Sequence, residues 1–535
     1  MRMAFRLFVL MLLAAFVPFG LISAPENSGS IAGLVKTSSR LPLAGVLVKA
    51  KNDDRRLSVT VVTQTNGQYR IPNLPAGKYT VQAWGAGLQS ETASVEVDGV
   101  HSATQNLTAN QNQDPRKTLS ITDYSAVLPP AEQRQVIVSL CTDCHQNGLQ
   151  EIVYSRKDRD GWSKTIQKMR HNPYAYFRSL VISEEQKEAV AAYLAQNFGP
   201  DVPPLDETKL PKFVIQGEAT KAVVTEYDLP DGAEAHDVAV DSHGIGWTSE
   251  GGLGAIGRFD PTMYTYEHLA LPGADKSGSA DAIVDSQDRI WVSDSRNSRL
   301  VRYDPKTEAF ASFPVPKPED RGPEFNTIRI HPDGTIWATQ ISINAVLHLD
   351  PATNQSKWFP FPSPTGESGN AYGMAIDPSG IVWFVEPLSE KYAKIDPETG
   401  KATEYSIPGS GQGITRLRRM QSDAHGNIWI GEFGGKGKLL EVDSHTGKLT
   451  EYDPPTSYAG PYSVDIDRVH DIVWVNEMMA DQIARFDPRT KTFTEFRIPT
   501  GGSSIRRIEV DPSRPTRVWY SGLYRDTVGY IDVAP

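Results

Sequence analysis

The chain has 535 residues, too many for a single compact core, and about three domains are expected for this length. Its formal net charge is −11 and its isoelectric point is about 5.6, which argues against nucleic acid or an anionic membrane as a partner. The 43 Gly, 38 Pro and 10 Trp residues are typical of turn-rich β structure.

Residues 1–24 have the pattern of a cleaved signal peptide. A positively charged start is followed by an apolar run from Leu7 to Ile22 and then by the small residues Ser23 and Ala24. The run is short and interrupted by Pro and Gly, whereas a spanning helix needs about 20 apolar residues. An uncleaved anchor is the alternative. We therefore expect a periplasmic or secreted protein with no membrane span after cleavage.

Residues 28–109 alternate apolar and polar positions between turn clusters, which predicts a small β-sandwich. The segment from Gly67 to Val81 has the pattern G-x-Y-x-I-x-x-L-P-A-G-x-Y-x-V. This pattern resembles the carboxypeptidase regulatory-like domain. The resemblance implies a prealbumin-like sandwich that serves as a spacer or binding module.

Both cysteines of the chain lie in the segment Cys141-Thr142-Asp143-Cys144-His145, which has the C-x-x-C-H pattern of c-type haem attachment. In such a site both thiols are bonded to the porphyrin vinyl groups, and the adjacent histidine is an axial ligand of the iron. A thioredoxin-like redox pair would need a βαβ setting, and a four-ligand zinc site would need further Cys or His residues nearby. The sequence therefore predicts one covalent haem c at Cys141 and Cys144, with His145 on the iron.

Helical patterns surround this motif between residues 120 and 200. They cover residues 131–140, residues 160–170 and a helix that opens with a capping box from Ser183 to Gln186. The pattern predicts a small all-α domain that resembles class I cytochrome c.

That resemblance implies a methionine as the sixth iron ligand, from the segment between the haem motif and the last helix. Met169 matches this position, and His171 is the competing ligand two residues on. Ligation by His and Met raises the reduction potential and suits electron transfer.

The C-terminal part, residues 222–535, contains an internal repeat of 44 to 46 residues, marked by one tryptophan per repeat. These tryptophans are Trp247, Trp291, Trp337, Trp383, Trp429, Trp474 and Trp519. Four short strands per repeat predict a seven-bladed β-propeller. The array begins with one extra strand, Thr225 to Pro230, which we expect to complete the last blade and close the ring.

Two strand ends of each repeat should meet at one mouth of the central channel. The starts of the innermost strands align at His236, Ala280, Asn326, Tyr372, Arg418, Tyr462 and Arg506. The ends of the returning strands align at Glu250, Asp294, Gln340, Glu386, Glu432, Glu477 and Gly522. The sequence thus predicts a polar channel-mouth ring, with a solvated rim as the alternative to a functional pocket.

The propeller also resembles the streptogramin lyase (virginiamycin B lyase) family, through the blade pattern D-G-x-x-W-[FV]-T-E, I-G-R-[FI]-D-P and T-E-[FY]-x-[IL]-P. Active members of that family use a Glu-x-His pair, a later Glu and a further His to bind Mg²⁺ and to supply the base for C–O elimination. Glu234, His236 and Glu250 match the first three positions, which implies His236 as a catalytic base and Glu234 and Glu250 as Mg²⁺ ligands. Leu253 occupies the last position and can neither ligate nor take a proton, which argues against lyase chemistry.

The fold class expected from the sequence is mainly β: an N-terminal sandwich, a cytochrome c domain and a seven-bladed propeller. Three functions are compatible with it. The first is an electron-transfer protein whose propeller binds a small-molecule substrate or a redox partner protein. The second is a metal-dependent lyase, and the third is a non-catalytic protein that binds a polysaccharide or another protein.

Overall fold

The structure, a computed structural model, describes residues 29–533 apart from residues 115, 117, 143–147, 171–181, 274–277, 318–323, 342, 363–370 and 410–414. It consists of an N-terminal β domain, a helical segment and a propeller. Within these described ranges, no helix has the length and apolar character needed to cross a lipid bilayer. The predicted signal peptide, residues 1–24, lies outside them.

The N-terminal domain is built from strands whose side chains alternate between a common core and solvent. Its strands are β1 (Gly29–Thr37), β2 (Leu47–Asn52), β3 (Leu57–Val62), β4 (Gln68–Leu74), β5 (Gly77–Gly85), β6 (Leu88–Ser90), β7 (Ala93–Val97), β8 (Ser102–Thr104) and β9 (Leu107–Gln111). In β5, Tyr79, Val81 and Ala83 are fully buried, whereas Lys78 before them and Thr80 between them are exposed. The predicted two-residue alternation is therefore confirmed in β5, whereas all six residues of β3 are buried.

The described part of the helical segment contains five α-helices of 5 to 15 residues. They are α1 (Ile121–Ser125), α2 (Glu132–Val136), α3 (Gly148–Tyr154), α4 (Arg159–Arg170) and α5 (Glu184–Phe198). Helix α2 continues as a π-helix, Ile137–Cys141. The capping box of α5 is confirmed, because Ser183 Oγ accepts from the Gln186 amide and the Gln186 side chain accepts from the Ser183 amide.

The prediction of an all-α cytochrome c domain is wrong. The helices do not enclose a core of their own, because Ile137, Val138 and Leu194 belong to one hydrophobic cluster that continues into the propeller at Phe433 and Met479. The amphipathic patterns identified the helices correctly, but a sequence pattern does not show which partner covers an apolar face.

The propeller is an array of antiparallel four-stranded sheets, numbered here as blades 1 to 6 in chain order. The blades are β11 (Ala235–Val240), β12 (Gly246–Glu250), β13 (Ala255–Asp260) and β14 (Thr265–Ala270); β15 (Ala282–Val284), β16 (Ile290–Asp294), β17 (Arg299–Asp304) and β18 (Ala309–Pro314); β19 (Phe325–Ile330), β20 (Ile336–Gln340), β21 (Ala345–Asp350) and β22 (Gln355–Pro360); β23 (Met374–Ile376), β24 (Val382–Glu386), β25 (Lys391–Ile395) and β26 (Ala402–Ser406); β27 (Leu417–Ser422), β28 (Asn427–Glu432), β29 (Leu439–Asp443) and β30 (Leu449–Tyr452); β31 (Pro461–Asp467), β32 (Ile472–Glu477), β33 (Gln482–Asp487) and β34 (Thr492–Arg497). The first strand of each blade lines the central channel.

The prediction of a seven-bladed propeller is wrong, since the described residues form six four-stranded blades. The remaining strands are β10 (Val223–Asp228), β35 (Ile505–Val510), β36 (Arg517–Gly522) and β37 (Thr527–Asp532). Strand β10 pairs with β37, as expected of a closing strand, but its other edge pairs with β3 of the N-terminal domain. These four strands are therefore one end of a thirteen-stranded sheet that includes the whole N-terminal domain. A repeat pattern cannot reveal such a pairing, because β3 lies far from the repeats in sequence.

The periodic tryptophans have a common structural role. In blades 1, 2, 4 and 5, and in the β35–β37 strands, the indole Nε1 donates to an aspartate at the end of the preceding strand, at 2.9 to 3.1 Å. Blade 3 has His331 at the aspartate position, and the buried Nε1 of Trp337 has no acceptor among the described residues. The repeat is thus held by a buried polar bond in most units.

Glu226 on β10 fastens the N-terminal domain to the propeller. Its buried carboxylate accepts hydrogen bonds from Lys49 Nζ at 2.9 Å, Thr500 Oγ1 at 2.7 Å and Tyr520 Oη at 3.0 Å. These donors come from β2, from the loop before β35 and from β36. One side chain therefore ties three parts of the chain together.

Replacement of this carboxylate should loosen the joint between the two domains. Glu226→Ala leaves the Lys49 ammonium and the Tyr520 hydroxyl without their acceptor, which should lower the free energy of unfolding by about 2–4 kcal/mol. Urea denaturation measures this loss. The control is Glu267→Ala on β14, whose exposed carboxylate is 3.8 Å from Arg258, and its effect should stay within about 0.5 kcal/mol. Equal losses in the two variants would contradict the role of Glu226.

Candidate functional site

A β-bulge opens five of the strands that line the channel. The pairing register shifts by one residue between Ala235 and Val238, and at the equivalent positions of β19, β27, β31 and β35. A bulge re-aims the side chains beside it, so that two consecutive residues can contribute to one site. Each such strand therefore has two consecutive channel positions. We call the first the upper position, which the alignment of the repeats identified. We call the residue directly after it the lower position, which that alignment did not identify.

The lower positions carry a buried ionic network across the channel. Arg419 Nη2 lies 2.8 Å from Asp237 Oδ1, and Arg507 Nη1 lies 2.7 Å from Asp281 Oδ1. Arg507 Nη2 also lies 2.6 Å from Glu509 Oε2. Burial, followed by the negative charge of Asp237, raises the pKa of Asp281 to about 6. The network links strands from different sides of the channel and neutralises the two lower arginines.

Among the upper positions, the structure brings Tyr372, Arg418, Tyr462 and Arg506 together. The Tyr372 and Tyr462 hydroxyls are hydrogen-bonded to each other, and Arg506 Nη1 donates to Tyr462 Oη at 3.0 Å. The Arg418 guanidinium carbon lies 5.3 Å and 5.6 Å from the ring centroids of Tyr372 and Tyr462, and 5.2 Å from that of Phe433. The predicted channel mouth is therefore a cationic and aromatic cluster.

The arginines change the acidity of this cluster. Burial alone would raise the pKa of Tyr462, but the charges of Arg506, Arg418 and Arg419 lower it below the usual phenol value. The pKa of Tyr372 is raised by burial and by its neighbour Tyr462. The Tyr462 hydroxyl is thus the more acidic of the two.

His236 lies at the same mouth, where its Nδ1 is 2.7 Å from Asp237 Oδ1. Burial and the charges of Arg419 and Arg506 hold the pKa of His236 well below its usual value. The imidazole is therefore neutral and oriented by a carboxylate, as a general base requires. Asn326, the remaining polar upper residue, accepts a hydrogen bond from Thr327 Oγ1 at 3.0 Å.

The carboxylates at the ends of the returning strands do not join this cluster. They turn into their own blades, towards the outer strands. Glu250 accepts from Thr248 Oγ1 at 3.1 Å and also bonds Tyr266 and His268, while Asp294 pairs with Arg299 Nε at 2.8 Å.

The other three carboxylates of this group behave in the same way. Glu386 faces Glu404 and Lys391, Glu432 faces Lys438 and Glu451, and Glu477 faces Glu495. The structure therefore brings starts of the inner strands together at the mouth and places the return ends within their own blades. Strand order alone did not show which side of the returning strand these residues occupy.

The structure gives no support for Mg²⁺ at Glu234 and Glu250. Glu234 is exposed on the loop before β11, where it has a positive φ of 49° and its amide donates to Asp526. Glu250 is fully buried within blade 1. The described part of the chain contains no group of three or more His, Cys, Asp or Glu residues arranged to hold a metal ion. Leu253 packs against an apolar cluster of blade 1 and the closing strands.

The helical segment lies on the channel mouth. Ser139 Oγ donates to the Gly435 carbonyl at 3.3 Å, and Thr142 Oγ1 donates to Met479 Sδ at 3.3 Å. Cys141, at the end of the π-helix, is half-buried and packs against the same hydrophobic cluster that contains Tyr372, Phe433 and Tyr462. The first cysteine of the C-x-x-C-H motif thus lies where the helical segment packs on the propeller.

Of the other residues predicted for haem binding, the structure describes Met169 alone. Cys144 and His145 lie outside the described residues, and so does His171. Met169 lies in α4, where it is half-buried.

Comparison with known proteins gives two family matches. A model of the virginiamycin B lyase family matches residues 266–534, and a model of the carboxypeptidase regulatory-like domain matches residues 30–110. These matches confirm two of the resemblances found in the sequence. The first match begins after Glu234, His236 and Glu250 and therefore does not extend to them.

Solved structures show the same likeness for the propeller fold. Virginiamycin B lyase from Staphylococcus aureus aligns with a TM-score of 0.51 at 17% identity, over 58% of this chain and 100% of that chain. A streptogramin B lyase aligns with a TM-score of 0.52 at 20% identity, over 60% of this chain and 100% of that chain. At such identities the likeness concerns the fold alone.

A curated relative matches a short stretch only. The TonB-dependent transporter Oar of Myxococcus xanthus is 38% identical over 69 residues, which are 13% of this chain. The aligned stretch spans 6% of the transporter's length.

The buried Glu386 should make stability depend on pH. Burial, followed by the charge of Glu404, raises its pKa from the ordinary 4.5 to about 8, so the folded state binds the proton more tightly than the unfolded state. The stabilising effect of that proton is complete below pH 4.5 and is lost as pH rises towards 8. Glu386→Gln keeps the neutral form, and its free energy of unfolding at pH 9 should exceed that of the wild type by about 1–3 kcal/mol.

Urea denaturation at pH 5 and pH 9 measures this effect. At pH 5 the Glu386→Gln variant and the wild type should be equally stable. Glu398→Gln, in the exposed turn after β25, is the matched control and should change neither value. A constant difference at both pH values would show that the substitution acts by packing and not by charge.

Proposed function

We propose that this chain, which belongs to the virginiamycin B lyase family, is a haem c protein that transfers electrons. In this proposal its propeller binds a substrate or a redox partner beside the haem. The observation that supports this most directly is the position of Cys141. The haem motif begins where the helical segment packs on the channel mouth, so that haem and propeller would form one site.

The surroundings of the motif fit an apolar macrocycle. Val138 before the motif and Leu149 and Ile152 after it are buried in one cluster, against which Cys141 packs. The indole Nε1 of Trp162 in α4 is buried and has no acceptor among the described residues. A buried donor of this kind requires an acceptor, and a haem carboxylate would provide one.

In this proposal Cys141 and Cys144 hold the haem covalently, His145 is one axial ligand and Met169 is the other. The haem, when bound, supplies one-electron chemistry, accepting an electron at ferric iron and passing it on from ferrous iron. The chain contributes the thioether attachment, the ligands and the apolar shell of the helical segment. The propeller mouth contributes the surface on which the electron donor or acceptor binds.

The remaining parts of the chain have supporting roles in this proposal. The N-terminal domain, through β3 and Glu226, completes the sheet that closes the propeller. The signal sequence, residues 1–24, would deliver the chain to the periplasm or the exterior, where haem attachment of this kind takes place.

A second candidate is lyase activity at the same mouth, and the hydrogen bond between His236 and Asp237 favours it. A neutral imidazole held by a carboxylate can take a proton in an elimination. The environment of Glu250 and the presence of Leu253 argue against the Mg²⁺ site that this chemistry needs. Cleavage of quinupristin that is lost both with EDTA and in His236→Ala would establish this second function in place of the first.

A covalent haem should be visible in the spectrum of the exported protein. A reduced-minus-oxidised visible spectrum should show a low-spin c-type haem when the full chain is made in a host with haem attachment machinery. The double variant Cys141→Ala, Cys144→Ala should lose the signal and the haem stain on a denaturing gel. Asp143→Ala, at a variable position of the motif, should retain both. Absence of covalent haem from the wild type would rule out the proposed function.

The sixth ligand can be tested separately. Met169→Ala should remove the thioether from the iron, lower the reduction potential and give a high-spin or exchangeable site without loss of the covalent haem. Met263→Ala, in the exposed turn after β13, is the matched control and should leave the spectrum unchanged. An unchanged spectrum in Met169→Ala would assign the ligand to another residue, with His171 tested next.

A further inference from the structure

The channel arginines differ in how far carboxylates neutralise their charge. Arg419 and Arg507, at the lower positions, lie within 2.8 Å of carboxylate oxygens. Arg506, directly before Arg507, forms no ion pair with a carboxylate among the described residues. Its described neighbours are aromatic: the ring centroids of Tyr462 and Tyr524 lie 5.1 Å and 6.0 Å from its guanidinium carbon.

The hydrogen bonds of Arg506 are also incomplete. A guanidinium has five N–H donors, and the described residues provide one acceptor for them, Tyr462 Oη, at Nη1. The Nε of Arg506 is buried and has no acceptor among those residues. The edge formed by Nε–H and Nη2–H therefore remains unused, and this edge is the fork that binds a carboxylate through two parallel hydrogen bonds.

The Arg506 side chain is only partly covered by its neighbours. Arg506 is half-buried at the channel mouth, and Tyr524, which stacks against it, is 48% exposed. Tyr462 on the other side is fully buried and fixes the guanidinium through Nη1. A cation held in this way, with no anion of its own, costs free energy unless an anion joins it.

We infer that Arg506 binds a carboxylate at the channel mouth. The rings of Tyr462 and Tyr524 hold the Arg506 guanidinium in place for this contact. The carboxylate has two possible sources with the same chemistry, a propionate of the covalent haem or a free carboxylate ligand. For the first source the inference deepens the proposed function and rests on it, because a propionate is present only if the haem is bound. The Cys141 segment, which would carry that haem, lies on the same mouth. For the second source it stands on the propeller alone.

The experiment uses the full haem-loaded chain, with the haem stain measured first. Binding of benzoate, with neutral benzamide as the control probe, is measured by calorimetry, and the haem midpoint potential by spectroelectrochemistry. The variants are Arg506→Gln and Arg506→Lys, which keeps the charge but loses the fork. Arg525→Gln removes an exposed arginine that follows β36 and is the matched control. Circular dichroism confirms that each variant is folded.

If the carboxylate at Arg506 comes from a free ligand, the wild type should bind benzoate and not benzamide. Arg506→Gln should then weaken the affinity by roughly tenfold or more, with the haem potential unchanged. If the carboxylate is a haem propionate, the wild type should not bind benzoate. The haem potential should then fall in Arg506→Gln but not in Arg525→Gln, because a cation beside the propionate favours the reduced haem. Arg506→Lys should act in the same direction as Arg506→Gln and less strongly, and it replaces that variant if the latter does not fold.

Two results overturn the inference. One is a folded Arg506→Gln protein that matches the wild type in both benzoate binding and haem potential. The other is an effect of the same size in Arg525→Gln. If the wild type carries no haem, the proposed function fails while the benzoate measurement still decides the inference, so the two failures are distinguishable.

Discussion

The pairing of β10 on both of its edges is the constraint on which the architecture depends. One edge completes the last set of propeller strands through β37, and the other joins the N-terminal domain through β3. A ring of blades would otherwise end in an open edge, and an open edge exposes unpaired backbone groups. Here the N-terminal domain is part of the closure itself. Its carboxypeptidase regulatory-like fold therefore has a structural role in this chain.

The ionic network below the mouth has a comparable role inside the channel. Asp237, Asp281, Arg419 and Arg507 come from blades 1, 2 and 5 and from the closing strands, so their contacts hold distant blades at a fixed separation. Buried ion pairs contribute little net stability, but they define one arrangement of the groups they join. The aromatic and cationic cluster above them is built on that fixed base. The helical segment then covers the cluster with an apolar face that contains Cys141.

The sequence predicted the repeating parts of this structure well and the unique parts poorly. The tryptophan spacing located each blade because each indole has the same place in its sheet, and the capping box at Ser183 located α5. The upper channel residues were identified because strand starts align. The lower residues Arg419 and Arg507 were missed, since a bulge adds a residue without leaving a local signal.

Two further errors have the same origin in contacts between segments distant in the chain. The apolar faces of the helices were assigned to a core of their own, although Ile137 and Val138 pack with Phe433 and Met479 of the propeller. The pairing of residues 57–62 with residues 223–228 also left no trace in the local pattern. The carboxylates of Glu386 and Glu477 were placed at the mouth because strand order does not show which way a side chain turns.

The position of β10 in the chain has a consequence for the order of assembly. During synthesis the N-terminal domain, the helical segment and β10 come first, and the strands that close the ring come last. Because β3 is already complete when β10 emerges, it can occupy one edge of β10 while the blades are still incomplete, which leaves a single edge open for β37. The helical segment that contains Cys141 also precedes every blade in the chain. The Cys141 thiol is therefore accessible before the propeller packs against this segment, since closure of the ring is the last step.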